Sequence, residues 1–147
     1  MNNWFEVKAK YTKQLEDGRL KRVTEPFLFD CMSFTEAESR AYEVVGQNVK
    51  GEFLITAIKR ENFQDIFEYE DSGDWYKCVV EYTTFDGDSG KEKKVKHNFL
   101  LTANSVKEAA DRLSESLSDM MGSFEIVSTA LTPIVEVYPY VPVTEEV

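Results

Sequence analysis

The chain has 147 residues, of which 42% are hydrophobic, 13% aromatic and 30% charged. This composition is typical of a folded globular protein and excludes a disordered chain, and no apolar run approaches the length of a membrane helix. The 17 basic and 27 acidic residues give a net charge of −10, which disfavours wholesale binding to nucleic acid or to an anionic membrane.

The first predicted element is a β-strand in which apolar residues alternate, namely Phe5, Val7, Ala9 and Tyr11. Turn residues at 16–18 follow, so we expect a hairpin whose second strand returns through residues 23–29. Pro26 lacks an N–H group, and it therefore predicts an edge or a bulge at that point of the second strand.

A helix is predicted next, because Ser33 and Glu36 have the spacing of a capping box. An apolar stripe at helical spacing follows the box. Gly51 then marks a turn before a third strand at 53–58, and a fourth strand is predicted at 66–69.

The same series of elements occurs a second time, 71 or 72 residues further along the chain. The matched pairs are Trp4 and Trp75, Tyr11 and Tyr82, Phe27 and Phe99, Ser33 and Ser105, Arg40 and Arg112, Phe53 and Phe124, and Tyr69 and Tyr140. The single insertion falls in the hairpin loop and the single deletion near the helix end, where indels are tolerated. Chance similarity between amphipathic segments is the alternative, and agreement in order along both copies disfavours it.

We therefore predict an α+β protein formed by internal duplication of a ββαββ unit, with antiparallel sheet and one helix in each repeat. Residues 1–70 form the first repeat and 75–140 the second, and we expect the two to pack as one domain with pseudo-twofold symmetry because a single repeat is a marginal core. Residues 141–147 are predicted to be a tail. Whether the repeats share one continuous sheet or form two layers stays open.

The residues that usually carry chemistry have structural explanations. The only histidine, His97, is expected to be a partly buried strand residue, and Cys31 and Cys78 to be structural free thiols. Residues 86–90 resemble the start of a calcium loop but lack its later acidic ligands, so a hairpin turn is preferred. Neither G-x-G-x-x-G nor a Walker A loop is present. We therefore predict no catalytic, metal-binding or cofactor-binding residues and no enzyme activity.

Two tryptophans and two lysine-rich hairpins are the candidate contact residues. Trp4 and Trp75 fall on the polar face of their strands, where an indole could stack on a base or could instead cover a helix edge or the interface between the halves. The lysines of the hairpins could bind an anionic partner or could simply protect a sheet edge. The candidates for contact with a nucleic acid or a partner are Trp4, Trp75, Lys8, Lys10, Lys91, Lys93 and Lys94.

These observations favour a non-catalytic interaction module that binds a protein partner or itself, through a sheet face, a sheet edge or the acidic segment 61–74. The alternative is a single-stranded nucleic-acid-binding accessory protein of a phage or mobile element, in which the two hairpins and the tryptophans make the contacts. Two cysteines and the lack of a secretory h-region at the N-terminus predict a cytoplasmic location without a membrane.

The stretches 1–7, 11–13, 23–30 and 33–38 together resemble an uncharacterised domain-of-unknown-function family of Bacteroides-type bacteria, their mobile elements and their phages. The resemblance covers essentially the whole chain, and the segment from Pro26 to the capping box is its most specific part. It implies a bacterial or phage cytoplasmic protein, and it carries no catalytic residues to transfer.

Overall fold

The computed structural model describes residues 3–119 and 122–141. Within them the elements are β1 (Trp4–Gln14), β2 (Leu20–Asp30), α1 (Phe34–Asn48), β3 (Phe53–Glu61), β4 (Asp65–Phe67), β5 (Asp74–Phe85), β6 (Glu92–Ala103), α2 (Val106–Ser118), β7 (Phe124–Leu131) and β8 (Val137–Tyr138). Two four-stranded sheets and two helices confirm the α+β class. No helix in the described part of the chain is long and apolar enough to cross a membrane.

The chain divides into two compact units. The first unit comprises Met1–Asn62 and Pro133–Val147, and the second comprises Phe63–Thr132. Of the predicted tail 141–147, residues 142–147 lie outside the described residues.

The first unit is a sheet of order β3-β1-β2-β8 with α1 packed on one face. Alternation along β1 turns four apolar side chains towards the helix, as the sequence predicts, and Phe5 and Val7 among them are almost completely buried. Small side chains at Ala37 and Ala41 are fully buried and let α1 lie close to the sheet.

The second unit has the corresponding order β7-β5-β6-β4, again with one helix on one face. Its core consists of alternating residues of β5 and β6 against Ala109, Leu113 and Leu117 of α2. Each long edge strand also carries a bulge at the matched place, beside Thr56 in β3 and beside Val127 in β7. The two units therefore build the same layout from corresponding parts of the sequence.

Both predicted N-cap serines begin their helices. The Ser33 hydroxyl accepts a hydrogen bond from the Glu36 amide at 3.1 Å, and the Ser105 hydroxyl accepts one from the Glu108 amide at 3.0 Å. After α1, Gly51 has a φ of 95°, so the predicted turn uses the left-handed conformation that glycine adopts without strain.

The fourth strands differ from the prediction in place and direction. β4 follows β3 in the chain but pairs with β6 of the second unit, and β8 follows β7 but pairs with β2 of the first unit. Both pairings are parallel, so neither sheet is purely antiparallel. A repeat of residues 1–70 or 75–140 therefore does not contain all four strands of its own sheet.

Chain length explains why the first repeat cannot supply its own fourth strand at this position. A strand on the outer edge of β2 lies three strand spacings from β3, about 14 Å away. Only residues 62–64 connect β3 to β4, and the four Cα–Cα steps from Glu61 to Asp65 reach at most about 14 Å. Because β3 ends level with Asp30, a fourth strand parallel to β2 would also have to run back along β2, which this length does not allow. The edge of β2 is instead covered by a segment that arrives from the far end of the sequence.

Candidate binding site

A cleft of about 810 Å³ opens on the helix side of the first unit, beyond the C-terminal end of α1. The hairpin half of β1 and β2 forms its floor, residues 48–50 form one wall and residues 135–138 form the other. Phe27, Val49 and Val135 contribute apolar surface. The size and the mixed lining are typical of a site that binds a small molecule or a few side chains of a partner.

The polar groups on the floor of the cleft are bonded to one another. The Tyr11 hydroxyl donates to one oxygen of Glu25, and the Lys13 ammonium donates to the other at 3.1 Å. Burial, followed by the bond to Glu25, raises the pKa of Tyr11 well above its ordinary range. Tyr11 therefore stays protonated at neutral pH and acts as a fixed donor.

The wall at 135–138 is attached to β2 by backbone hydrogen bonds and by an aromatic stack. The Leu28 amide donates to the Glu136 carbonyl at 3.0 Å, and the rings of Phe29 and Tyr138 stack at 4.9 Å. Burial and the nearby Glu136 raise the pKa of the Tyr138 hydroxyl. This wall is consequently a rigid part of the sheet.

The outer edge of β2 is open next to the cleft. β8 pairs only with Leu28 and Phe29, and the last backbone bond before them joins the Val135 amide to the Pro26 carbonyl at 2.9 Å. Strand geometry turns alternate residues outward, so Thr24 and Arg22 also direct their N–H and C=O groups to this edge. Within the described residues, no backbone hydrogen bond reaches the outward N–H and C=O groups of Thr24 or Arg22. Pro26 is tolerated here because its nitrogen faces away from β1, so the pairing with β1 loses no hydrogen-bond donor.

The sheet face away from α1 carries the exposed cations Lys8, Lys10 and Arg22, together with Glu6 on β1 and the ion pair of Lys59 with Glu61 on β3. Lys8 and Lys10 are two residues apart on β1, about 7 Å, and Arg22 is the diagonal cross-strand neighbour of Lys10 at about 7 to 8 Å. Arg22 donates to the Thr12 hydroxyl at 3.4 Å, and none of the three cations forms an ion pair within the described part of the chain. The structure thus brings Lys8 and Lys10 together with Arg22, which the sequence analysis did not select.

The corresponding face of the second unit is neutralised. Val79 stands where the first unit has Lys8, and Glu81 stands where it has Lys10. Glu81 lies 3.6 Å from the Lys94 ammonium and 4.0 Å from that of Lys96. The cationic row is therefore a property of the first unit and not a requirement of the fold.

The lysines predicted in the second hairpin do not form one surface. Lys93 and Lys94 are consecutive residues of β6, so their side chains lie on opposite faces of the sheet, and Lys94 is paired with Glu81. Lys91 lies just before the strand, in the turn where its carbonyl accepts a bond from the Asp86 amide at 2.9 Å. These three lysines are all exposed, and they are divided between a turn and two faces.

Neither tryptophan can stack on a base. Trp4 is 6% exposed and Trp75 is 2% exposed, so no ring face is open to a ligand. Each lies near the end of its strand, opposite Asp30 in the first unit and Thr102 in the second. This burial favours the structural alternative for both residues, because a large amphipathic ring gains more from burial than a polar strand face suggests.

The histidine and the two cysteines, which could have carried chemistry, have structural surroundings. His97 is half-buried on β6, where it is hydrogen-bonded to the Tyr82 hydroxyl and its ring stacks on that of Tyr82 at 5.0 Å. In the first unit Glu25 takes the corresponding position beside Tyr11. Cys31 and Cys78 are free and buried, and burial raises the pKa of both thiols. Among the described residues, no three or more His, Cys, Asp or Glu side chains group so as to hold a metal ion.

The cleft and the open edge escaped the sequence analysis for a physical reason. Pro26 predicted an edge or a bulge in β2, and the structure places it where the cover by residues 135–138 begins, with β8 outside β2. Where the covering strand stops depends on residues 135–138, more than a hundred positions away.

A family model described as "Domain of unknown function (DUF4494)" matches residues 3–140. No curated protein and no solved structure is significantly similar to the chain.

Proposed function

Because the chain belongs to the DUF4494 family, which has no known activity, we propose its function from the cleft and the open edge: a non-catalytic interaction module that binds an extended segment of a partner protein. The segment adds as a further strand to β2, upstream of the point where β8 stops. Strand addition is a general mode of peptide recognition in which main-chain bonds supply affinity and side-chain pockets supply specificity.

The observation that carries this proposal is the incomplete pairing of β2. Eleven residues of β2 pair with β1, yet β8 covers only two residues of the other edge. The uncovered part, Leu20–Glu25, lies beside a cleft of about 810 Å³ that can receive side chains of the added strand. An unpaired edge next to a preformed cleft is the arrangement that such recognition uses.

β6 is covered in the same incomplete way, over three residues by β4, and we place the site on β2 because the cleft lies beside it. The remaining long edges are less suited to a partner. β3 and β7 each contain a bulge, which disrupts pairing with a new strand.

The polar groups of the cleft support binding more than catalysis. Both oxygens of Glu25 are occupied by Tyr11 and Lys13. A general base must be able to reach the proton it abstracts, and a tyrosine with a raised pKa is a poor nucleophile at neutral pH. We therefore keep the prediction that the protein is not an enzyme as part of the proposal.

Selection of linear peptides from a displayed random library, followed by fluorescence anisotropy of the enriched peptides, tests the proposal. Thr24→Pro removes one outward N–H and no bond to β1, so it should weaken peptide binding about tenfold or more. Lys96→Pro makes the same change at the matched position of the second unit and should bind as the wild type does. Circular dichroism checks that both variants are folded.

A library that yields no binder, or a Thr24→Pro variant that binds as tightly as Lys96→Pro, would overturn strand addition. The segment could belong to a second copy of the chain. In that case the wild type alone should show a concentration-dependent mass in solution, and Thr24→Pro should not.

We also propose the origin and location of the protein. An internal duplication of one ββαββ unit is supported by the matched strand orders, capping serines and bulges of the two units. A reducing bacterial or phage-infected cytoplasm is supported by the two free, buried cysteines and by the sequence resemblance.

A further inference from the structure

We infer that the segment bound by β2 alternates acidic and apolar residues, with the acidic side chains on the sheet face away from α1. This inference rests on the proposed strand addition and names the chemistry of the partner. It comes from the row formed by Lys8, Lys10 and Arg22, together with the cleft on the opposite face.

The cationic row is costly unless something neutralises it. Like charges at 7 to 8 Å on one sheet face repel each other, and strand pairing normally places opposite charges there. The second unit follows that rule, because Glu81 lies between Lys94 and Lys96. In the first unit Glu6 lies on the same face of β1, two residues from Lys8, but within the described residues no ion pair joins a carboxylate to Lys8, Lys10 or Arg22.

An added strand brings side chains to the row in a defined register. Its residues on the face away from α1 would lie directly beside Arg22 and Thr24, one strand spacing of about 4.8 Å from β2. Lys10 is then two spacings away, about 10 Å, which is close to the screening length at physiological salt. A glutamate or aspartate at these positions supplies the missing negative charge.

The alternate residues of the same strand face α1 and the cleft. Phe27, Val49 and Val135 line that space, so apolar side chains gain by burial there. A period of two in the peptide, acidic on one face and apolar on the other, therefore matches the two faces of β2.

An acidic peptide fits the observations better than a nucleic acid. The chain has a net charge of −10, and the two tryptophans that could have stacked on bases are buried. Single-strand binding normally combines a cationic groove with exposed aromatic rings. Three cations without an exposed tryptophan favour a partner that brings carboxylates and its own backbone hydrogen bonds.

Anisotropy with three labelled probes tests this chemistry: a peptide of about ten residues alternating valine and glutamate, its valine and lysine counterpart, and a thymidine oligonucleotide. Only the valine and glutamate peptide should bind the wild type. Lys10→Glu/Arg22→Glu should weaken that binding about tenfold or more, and added salt should weaken it further. Val79→Glu/Lys94→Glu adds charge at the matched face of the second unit and should leave binding unchanged.

The outcomes separate the two proposals. If both peptides bind equally and Thr24→Pro abolishes both, strand addition stands and the acidic preference is wrong. If the glutamate peptide responds to charge reversal but not to Thr24→Pro, the cationic row binds acidic chains without strand addition. Salt-sensitive binding of the oligonucleotide alone would overturn the acidic-peptide inference in favour of nucleic acid, and binding of no probe would overturn it as well.

Discussion

The carbonyl oxygen of Pro26 accepts a hydrogen bond of 2.9 Å from the Val135 amide, and this bond joins two residues more than a hundred positions apart. It marks the limit of the cover that residues 135–138 give to β2. Beyond it, towards the hairpin, the strand edge is open. The same bond recurs in the second unit, where the Gln64 amide donates to the Asn98 carbonyl at 2.7 Å.

Fragments of the chain should reveal which segments belong to one folding unit. The fragment 63–132 contains β4, β5, β6, β7 and α2, whereas a fragment 75–140 of similar length lacks β4. The second fragment also loses the two hydrogen bonds, at 2.7 and 3.3 Å, that join Thr102 to the backbone of Tyr69. We expect the 63–132 fragment to have the higher melting temperature by circular dichroism and the better dispersed amide spectrum. Equal stability of the two fragments would contradict the exchange of fourth strands.

Arg112 should stabilise the second unit more than Arg40 stabilises the first. The Arg112 guanidinium donates to both oxygens of Asp71 at 2.8 and 2.6 Å and to the Thr102 carbonyl at 3.0 Å. Arg112→Lys cannot reproduce this planar set of bonds, so the free energy of unfolding should fall by about 1 to 2 kcal/mol, a range kept low because Asp71 is 62% exposed.

The matched control is Arg40→Lys, because the bond of Arg40 to the Asp30 carbonyl is longer, at 3.3 Å, and Arg40 has no bidentate bond to a carboxylate among the described residues. Urea unfolding measures both variants. A Trp4→Phe background leaves Trp75, which lies in the second unit, as the only fluorescent indole. A larger loss for Arg40→Lys than for Arg112→Lys would show that the bonds to Asp71 contribute little.

The raised pKa of Tyr11 should make the protein lose stability in alkaline solution. Above pH 10 an unfolded tyrosine, whose pKa is about 10, releases its proton while the folded Tyr11 keeps it. The unfolded state then binds fewer protons than the folded state, so the free energy of unfolding falls as pH rises, by up to about 1.4 kcal/mol per pH unit. Below pH 10 the contribution of Tyr11 to the free energy of unfolding is fully present.

Tyr11→Phe tests this assignment. It should lower the free energy of unfolding at neutral pH by about 1 to 2 kcal/mol, because the donor to Glu25 is lost. It should also reduce by one the number of protons released on unfolding in alkaline solution. The contribution of Tyr138, whose pKa is also raised, should remain. Chemical denaturation from pH 8 to 11 gives both quantities, and an unchanged alkaline slope would show that Tyr11 titrates normally.

Both tryptophans should behave as buried core residues. We expect blue-shifted emission, little quenching by acrylamide, and no change in fluorescence when an oligonucleotide is added. Trp75→Ala should lower the free energy of unfolding by about 3 to 5 kcal/mol because the ring is 2% exposed. Strong quenching of either indole by an oligonucleotide would restore the stacking interpretation that their burial removes.

Local sequence patterns determined the identity of the elements. Alternation in β1 and the spacing from Ser33 to Glu36 predicted a strand and a helix start that the structure contains. These features involve neighbours within a few residues, whose geometry is set by backbone and capping hydrogen bonds. Pro26 likewise indicated from its own chemistry that its nitrogen faces away from β1.

The tertiary structure alone decided where the short strands pair and what they leave open. β8 has two residues and β4 has three, too few to specify a partner by pattern, so each takes the edge that chain length and the rest of the fold make accessible. The burial of Trp4 follows from tertiary packing, whereas the grouping of Lys10 with Arg22 follows from the register of the β1–β2 hairpin. The open edge of β2 and the cleft beside it exist only once residues distant in sequence have come together.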